Sequence, residues 1–170
     1  VATDFKVRTY DSEVTSIIDQ DSLLHIFTNN NQEVRQLTFN PDFTLANSVQ
    51  YEAPKSKYRE LAGYAVLDNG SINLYFNSSN KNKFCVATFE NGNFQSSFNE
   101  FKFKLKDETY LQGLSHQNQF YILTITEDSN LKMYRFDGAD YTVSTISLSK
   151  LKLSPKNYFD PDNFYDALTT

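Results

Sequence analysis

Apolar and polar residues alternate along this chain in short runs, and they seldom recur with the period of about 3.6 that marks an amphipathic helix. Leu24, Ile26 and Thr28 fall on one side of an extended segment, and Leu23, His25 and Phe27 on the other. Residues 23–28 therefore predict a strand covered on both faces. Residues 72–76 and 120–125 have the same character. Turn chemistry separates the runs: Asp68-Asn69-Gly70-Ser71 carries the Asn-Gly pair that tolerates the positive φ of a tight hairpin, and Asn91-Gly92 and Asp137-Gly138 follow two later strands.

The runs recur in a fixed order. Ser22, Ser71 and Gln119 each precede a core strand, at offsets of 49 and 48 residues. Phe39, Phe89 and Phe136, each leading to an aromatic a few residues on (Phe43, Phe94, Tyr141), are 50 and 47 apart. Tyr10, Tyr58, Tyr110 and Tyr158 are spaced 48, 52 and 48, with Pro54-Lys55-Ser56-Lys57-Tyr58 matching Pro155-Lys156-Asn157-Tyr158. Each repeat holds four strand-like runs: 13–18, 23–29, 34–40 and 43–51 in the first; 58–67, 71–77, 83–90 and 94–104 in the second; 109–114, 119–126, 131–137 and 141–148 in the third.

Four antiparallel strands in one such repeat resemble a blade of the β-propeller superfamily. The resemblance is architectural, because no blade carries a Trp-Asp dipeptide, a kelch Gly-Gly pair or a sialidase-type Asp box. It implies an all-β chain of about three four-stranded antiparallel β-propeller blades, a partial propeller; the alternative is a β-sandwich of about a dozen strands. As a single repeat domain over 1–170, residues 1–10 form an orphan outer strand, 11–52, 53–106 and 107–150 the three blades, and 151–170 a linker or the start of a fourth repeat. Small residues are expected where first strands crowd around a channel: Thr15-Ser16, Ala62-Gly63 and Gln112-Gly113. Three blades do not close a ring of about four to eight. Further segments of a longer polypeptide, or self-association with a second copy, are expected to complete it.

Composition narrows the function classes. Among 170 residues, 16 Lys+Arg stand against 21 Asp+Glu, a formal charge of −5, which argues against nucleic-acid binding. No apolar run reaches the roughly 18 residues of a membrane span. One Cys excludes an internal disulfide framework and a Cys-cluster zinc site. The 15 Phe and 11 Tyr, spread along the chain, place the 17 Asn in turns of a folded domain and not in a disordered tail. Asn69-Gly70-Ser71 and Asn77-Ser78-Ser79 match the glycosylation tripeptide, as chance allows in so Asn-rich a chain. The start at Val1, without a visible signal peptide, and the Asn- and aromatic-rich composition point to an exported, processed protein, extracellular or in the cell envelope.

Candidate chemistry is sparse. His25 and His116 occupy different repeat positions without companion ligands, so a packed strand residue and a solvated turn residue are expected. Cys85 lies in the apolar run Phe84-Cys85-Val86-Ala87 and is expected to be buried and inert. Asp160, Asp162 and Asp166 form the densest oxygen-ligand cluster and the one candidate for a cofactor, Ca²⁺, although Tyr165 stands at the glycine position of an EF-hand loop and no Glu closes it. Asp162 is also a candidate N-cap for a short helix over 163–168. In the propeller resemblance, ligands meet the second-to-third-strand loops and the inter-blade linkers, here Asn30, Asn80, Lys81, Lys55 and Lys57. The alternation in residues 101–106 fits an outer strand with one packed face. These features are consistent with a non-catalytic binding or interaction scaffold for a protein or glycan partner. A glycan-active propeller enzyme with two facing carboxylates, and a purely structural assembly protein, are the alternatives.

Overall fold

The computed structural model describes residues 13–30, 33–55, 57–58, 60–90, 96–103, 105, 107–128 and 130–148. The orphan strand expected over 1–10, the segment 151–170 and the Asp160, Asp162 and Asp166 cluster lie outside the described residues. Twelve strands are present among those described: β1 (Glu13–Ile18), β2 (Leu24–Asn29), β3 (Glu33–Phe39), β4 (Leu45–Glu52), β5 (Glu60–Val66), β6 (Ile72–Asn77), β7 (Lys83–Phe89), β8 (Ser96–Lys102), β9 (Glu108–His116), β10 (Gln119–Thr126), β11 (Asn130–Asp137) and β12 (Asp140–Ser147). They form three separate four-stranded antiparallel meanders, β1–β4, β5–β8 and β9–β12, each in sequence order and each blade-like. The chain is all-β, and among the described residues no helix is long and apolar enough to cross a membrane.

The period of two explains how the sheets meet. In the second sheet Ile72, Leu74 and Phe76 of β6, with Cys85, Ala87 and Phe89 of β7, face the first sheet and pack with Ile17, Phe27, Val34, Val49 and Tyr51. The intervening Tyr75, Phe84 and Val86 face the third sheet and pack with Phe120, Ile122, Tyr134 and Phe136. Every residue of β6 is buried. Burying one such Phe, Leu or Ile contributes about 1.5–3 kcal/mol, and the edge-on ring contact of Tyr51 with Phe89 at 4.7 Å and the stack of Tyr75 on Phe120 at 4.2 Å add specificity.

The strand pairings also fix which residues are equivalent. Leu24 pairs with Phe39, Ile72 with Phe89 and Phe120 with Phe136. Phe27 pairs with Gln36, Tyr75 with Val86 and Leu123 with Met133. The first set lies on the face by which the second and third sheets meet the sheet before them, and the second on the face by which the first and second sheets meet the sheet after them.

The first strands are edge strands, and the outward amides of β5 find partners on both neighbouring sheets. Leu61 N donates to Glu13 Oε2 (2.9 Å), Tyr64 N to Ser115 Oγ (2.7 Å) and Val66 N to the Asn118 carbonyl (3.0 Å). This cross-sheet stitching answers the exposed-edge problem. It needs close approach, which explains both glycines that the sequence marks. A Cβ on Gly63 would lie 2.6 Å from the Phe120 ring and 2.9 Å from Ser115 Oγ. A Cβ on Gly113 would run into the Ala62 carbonyl.

Gly113→Ala is therefore expected to destabilise the fold by about 1–3 kcal/mol, since backbone and not a flexible side chain must yield. Urea denaturation followed by circular dichroism measures it, and an unchanged midpoint would refute the close contact.

Candidate functional site

The stitching leaves a cleft at one end of the second and third sheets. The β5–β6 turn contributes Leu67 and Asp68, the β9–β10 turn Gln117, Asn118 and Gln119, and the β11–β12 turn Asp137 and Gly138; Arg135 and Gln20 complete the rim. The open cleft has a volume of about 350 Å³, within the size range of small-molecule sites. Local sequence shapes each wall. Gln117 and Asn118 have φ of 48° and 61°, the two-residue hairpin with both central residues left-handed. The bond from Val66 N to the Asn118 carbonyl then ties that turn to the end of β5. On the facing turn Gly70 takes φ 79°, while the Asn69 side chain accepts from Ser71 N (2.9 Å). Gly70, and not Asn69, carries the positive φ of the Asn-Gly pair.

Tyr75 lies beneath the cleft. It is fully buried on β6, stacked on Phe120, and its hydroxyl has no hydrogen-bond partner. Burial pushes its pKa up to about 12; Asn73 and the Gly138 backbone are near enough to oppose this slightly without meeting hydrogen-bond geometry. An unsatisfied buried hydroxyl costs about 1–3 kcal/mol. The lining is otherwise rich in amides, with two carboxylates and one guanidinium; it includes no histidine, cysteine, serine or lysine.

Other polar groups are committed within the fold. His25 is buried, as its strand position suggests, and its Nε2 donates to Asp19 Oδ2 (2.8 Å). Asp19 Oδ1 accepts from the Asp21 and Leu23 amides (3.0 and 2.9 Å). In that tautomer Nδ1 accepts from Gln36 Nε2 (3.0 Å) and the Thr38 hydroxyl (3.1 Å), and Tyr51 donates to Gln36 Oε1 (2.9 Å). An Asp–His–Thr chain has the composition of a nucleophile relay. Here Thr38 is itself buried and the network pins the β1–β2 turn to β3. Cys85 is buried, and burial pushes its thiol up to about 11, away from thiolate chemistry. Exposed His116 ends β9 beside the turn.

Glu13, Glu60 and Glu108 open β1, β5 and β9 at offsets of 47 and 48. Glu13 accepts from the Leu61 amide, and Glu60 pairs with Lys81. Glu108 accepts from Lys132 Nζ (2.5 Å), Thr124 Oγ1 (2.7 Å) and the Tyr134 hydroxyl (2.8 Å). Burial raises the Glu108 pKa, but these three donors outweigh it and hold it below the usual range. The repeat register carried this signal, and sequence reasoning missed it. Among the described residues no cluster of three or more His, Cys, Asp or Glu is placed to hold a metal.

The residues predicted to face a ligand lie at a different set of loops from the cleft. Lys55 and Lys57 both reach Glu100 on β8, at 2.5 and 2.6 Å, and the Tyr58 hydroxyl joins them at 2.9 Å. Lys81 also contacts Asn77 Oδ1 (3.3 Å) and lies over the Tyr110 ring at 5.8 Å; burial lowers its pKa. Asn80 accepts from Ser78 Oγ (2.7 Å), and Asn30 Oδ1 accepts from Glu33 N (2.8 Å). The structure brings the two linker lysines together around one carboxylate and keeps Asn30 in its own turn. Sequence reasoning found Asp68 and Asp137 only as turn residues and did not single out Tyr75. Comparison with protein-family models, with curated proteins and with solved structures finds no match.

Lys55, Lys57 and Tyr58 hold the Glu100 carboxyl down to about 2 from its ordinary value near 4.5. Because the folded value is the lower one, the contribution to stability is complete above about pH 4.5 and is lost as pH falls toward 2. Glu100→Gln is expected to flatten that part of the acid limb in urea-midpoint measurements, whereas an acid limb equal to that of the unsubstituted chain would contradict the assignment.

Proposed function

We propose that this chain is a non-catalytic binding scaffold built from β-propeller blades, and that the cleft above Tyr75 takes a small neutral polyhydroxylated ligand, the saccharide unit of a glycan. The observation that carries the reading is the buried, unpartnered Tyr75 hydroxyl beneath a cleft of ligand size. Buried polar groups are normally satisfied, and one left open under a cleft is matched by a ligand group that supplies the missing partner. Ring hydroxyls both donate and accept. They complement the amides of Gln117, Asn118 and Gln119, which do the same, and the carboxylates of Asp68 and Asp137, which accept. Two carboxylates against the single Arg135 guanidinium disfavour an anionic ligand. The blade reading itself is supported by three consecutive meanders that stack through equivalent faces.

Tyr75→Phe separates ligand recognition from stability. Removing an unsatisfied hydroxyl is expected to leave the thermal midpoint unchanged or raise it by the equivalent of about 1 kcal/mol. The same change is expected to weaken saccharide binding about tenfold, the loss of one hydrogen bond. An array of free mono- and oligosaccharides followed by calorimetry on the best binder measures this. Equal affinity in the two proteins, or no saccharide bound by either, would refute the reading.

A further inference from the structure

The outer faces of the three described sheets carry the same two sets of positions that meet between them. On the forward side of the third sheet, Leu123, Leu131 and Met133 occupy the positions that Phe27, Val34 and Gln36 hold in the first sheet and Tyr75, Phe84 and Val86 in the second. On the back of the first sheet, the partly exposed Leu24, Ile26 and Phe39 and the buried Leu37 occupy the positions of Ile72, Leu74, Phe89 and Ala87, and of Phe120, Ile122, Phe136 and Tyr134. Where these positions meet inside the molecule they make its cores: Phe27 against Phe89 with ring centroids 5.2 Å apart, and Tyr75 against Phe136 at 6.0 Å. The next contact in the series sets Leu123 against Phe39. Around these positions Ile18 (67% exposed) and Leu45 (42%) lie on the back face, and Ile146 (44%) on the forward face.

We propose that two copies of this chain associate head to tail, the forward face of each third sheet covering the back face of the other copy's first sheet. The interface continues the two internal ones, with Leu123 of one copy over Phe39 of the other. A head-to-tail contact closes when the rotation it imposes returns on itself. Two copies of the three described sheets make six, inside the range of about four to eight at which blade rings close. The pairing covers both apolar faces at once and leaves the cleft above Tyr75, between the second and third sheets of one copy, outside the new interface except at Arg135, which sits on the forward face at the cleft rim. The proposal thus stands apart from the saccharide reading.

Sedimentation velocity on the 170-residue chain at micromolar concentration is expected to give twice the 19.6 kDa chain mass. Ile18→Asp breaks the back face and Ile146→Asp the forward face. Both positions are exposed, so each variant keeps the circular dichroism spectrum of the original while its dimer dissociation constant rises at least tenfold. Mixing the two variants leaves one intact forward face opposite one intact back face, and a heterodimer is expected to return. A chain that stays at 19.6 kDa, with its faces then assigned to a different partner such as further sheets of the same kind, overturns the proposal. So does a mixture that remains monomeric, and so does a dimer that only one of the two substitutions breaks, the mark of a contact between two like faces.

Discussion

The structure depends on a sheet that is buried on both sides. Successive side chains on β6 and β7 point to opposite faces, and in the second sheet both faces are packed: Ile72, Leu74, Phe76, Cys85, Ala87 and Phe89 toward one neighbour, and Tyr75, Phe84 and Val86, beside the buried Asn73 and Asn77, toward the other. β6 alternates as a one-faced strand would, Ile72-Asn73-Leu74-Tyr75-Phe76-Asn77, yet each of its residues is buried, so the sheet is a middle layer. The order of the three sheets, the two cores and the position of the cleft all follow from that requirement.

Layers stacked through their faces come close together at the first strands, and that crowding builds the rest. Gly63 and Gly113 allow β5 and β9 to approach, and the unpaired amides of β5 are then met by Glu13, Ser115 and the Asn118 carbonyl. The same bond that satisfies Val66 N holds the β9–β10 turn beside the β5–β6 turn, and the cleft opens between these turns and the β11–β12 turn. A polar aromatic on the central strand beneath them, Tyr75, is thereby buried at the floor of the cleft without a hydrogen-bond partner from the protein. The proposed ligand site is thus a by-product of how the edges of two sheets are satisfied.

Much of the architecture was legible because period-two alternation and turn residues are local signals. Residues 13–18, 83–90 and 119–126, read as strands from pattern alone, form β1, β7 and β10 to within a residue. The small pairs Ala62-Gly63 and Gln112-Gly113 were visible as candidates for close approach, though only coordinates separate that from an ordinary strand glycine. The site was less legible. Tyr75 stands in a run of apolar strand residues and differs from Phe76 by one hydroxyl, whose lack of a partner is a property of the third sheet's packing. Lys55 and Lys57 look like free linker cations until Glu100, more than 40 residues on, is brought between them. Glu13, Glu60 and Glu108 were available from the repeat spacing, but aromatic landmarks dominated the alignment.

The doubly covered middle sheet is most directly tested by native-state hydrogen exchange resolved to single amides. Amides of β6 and β7 that are bonded within the sheet are expected to exchange only through global unfolding, with those of the outer strands β4 and β12 opening at lower free energy. Exchange of β6 and β7 as fast as that of β4 and β12 would contradict the account.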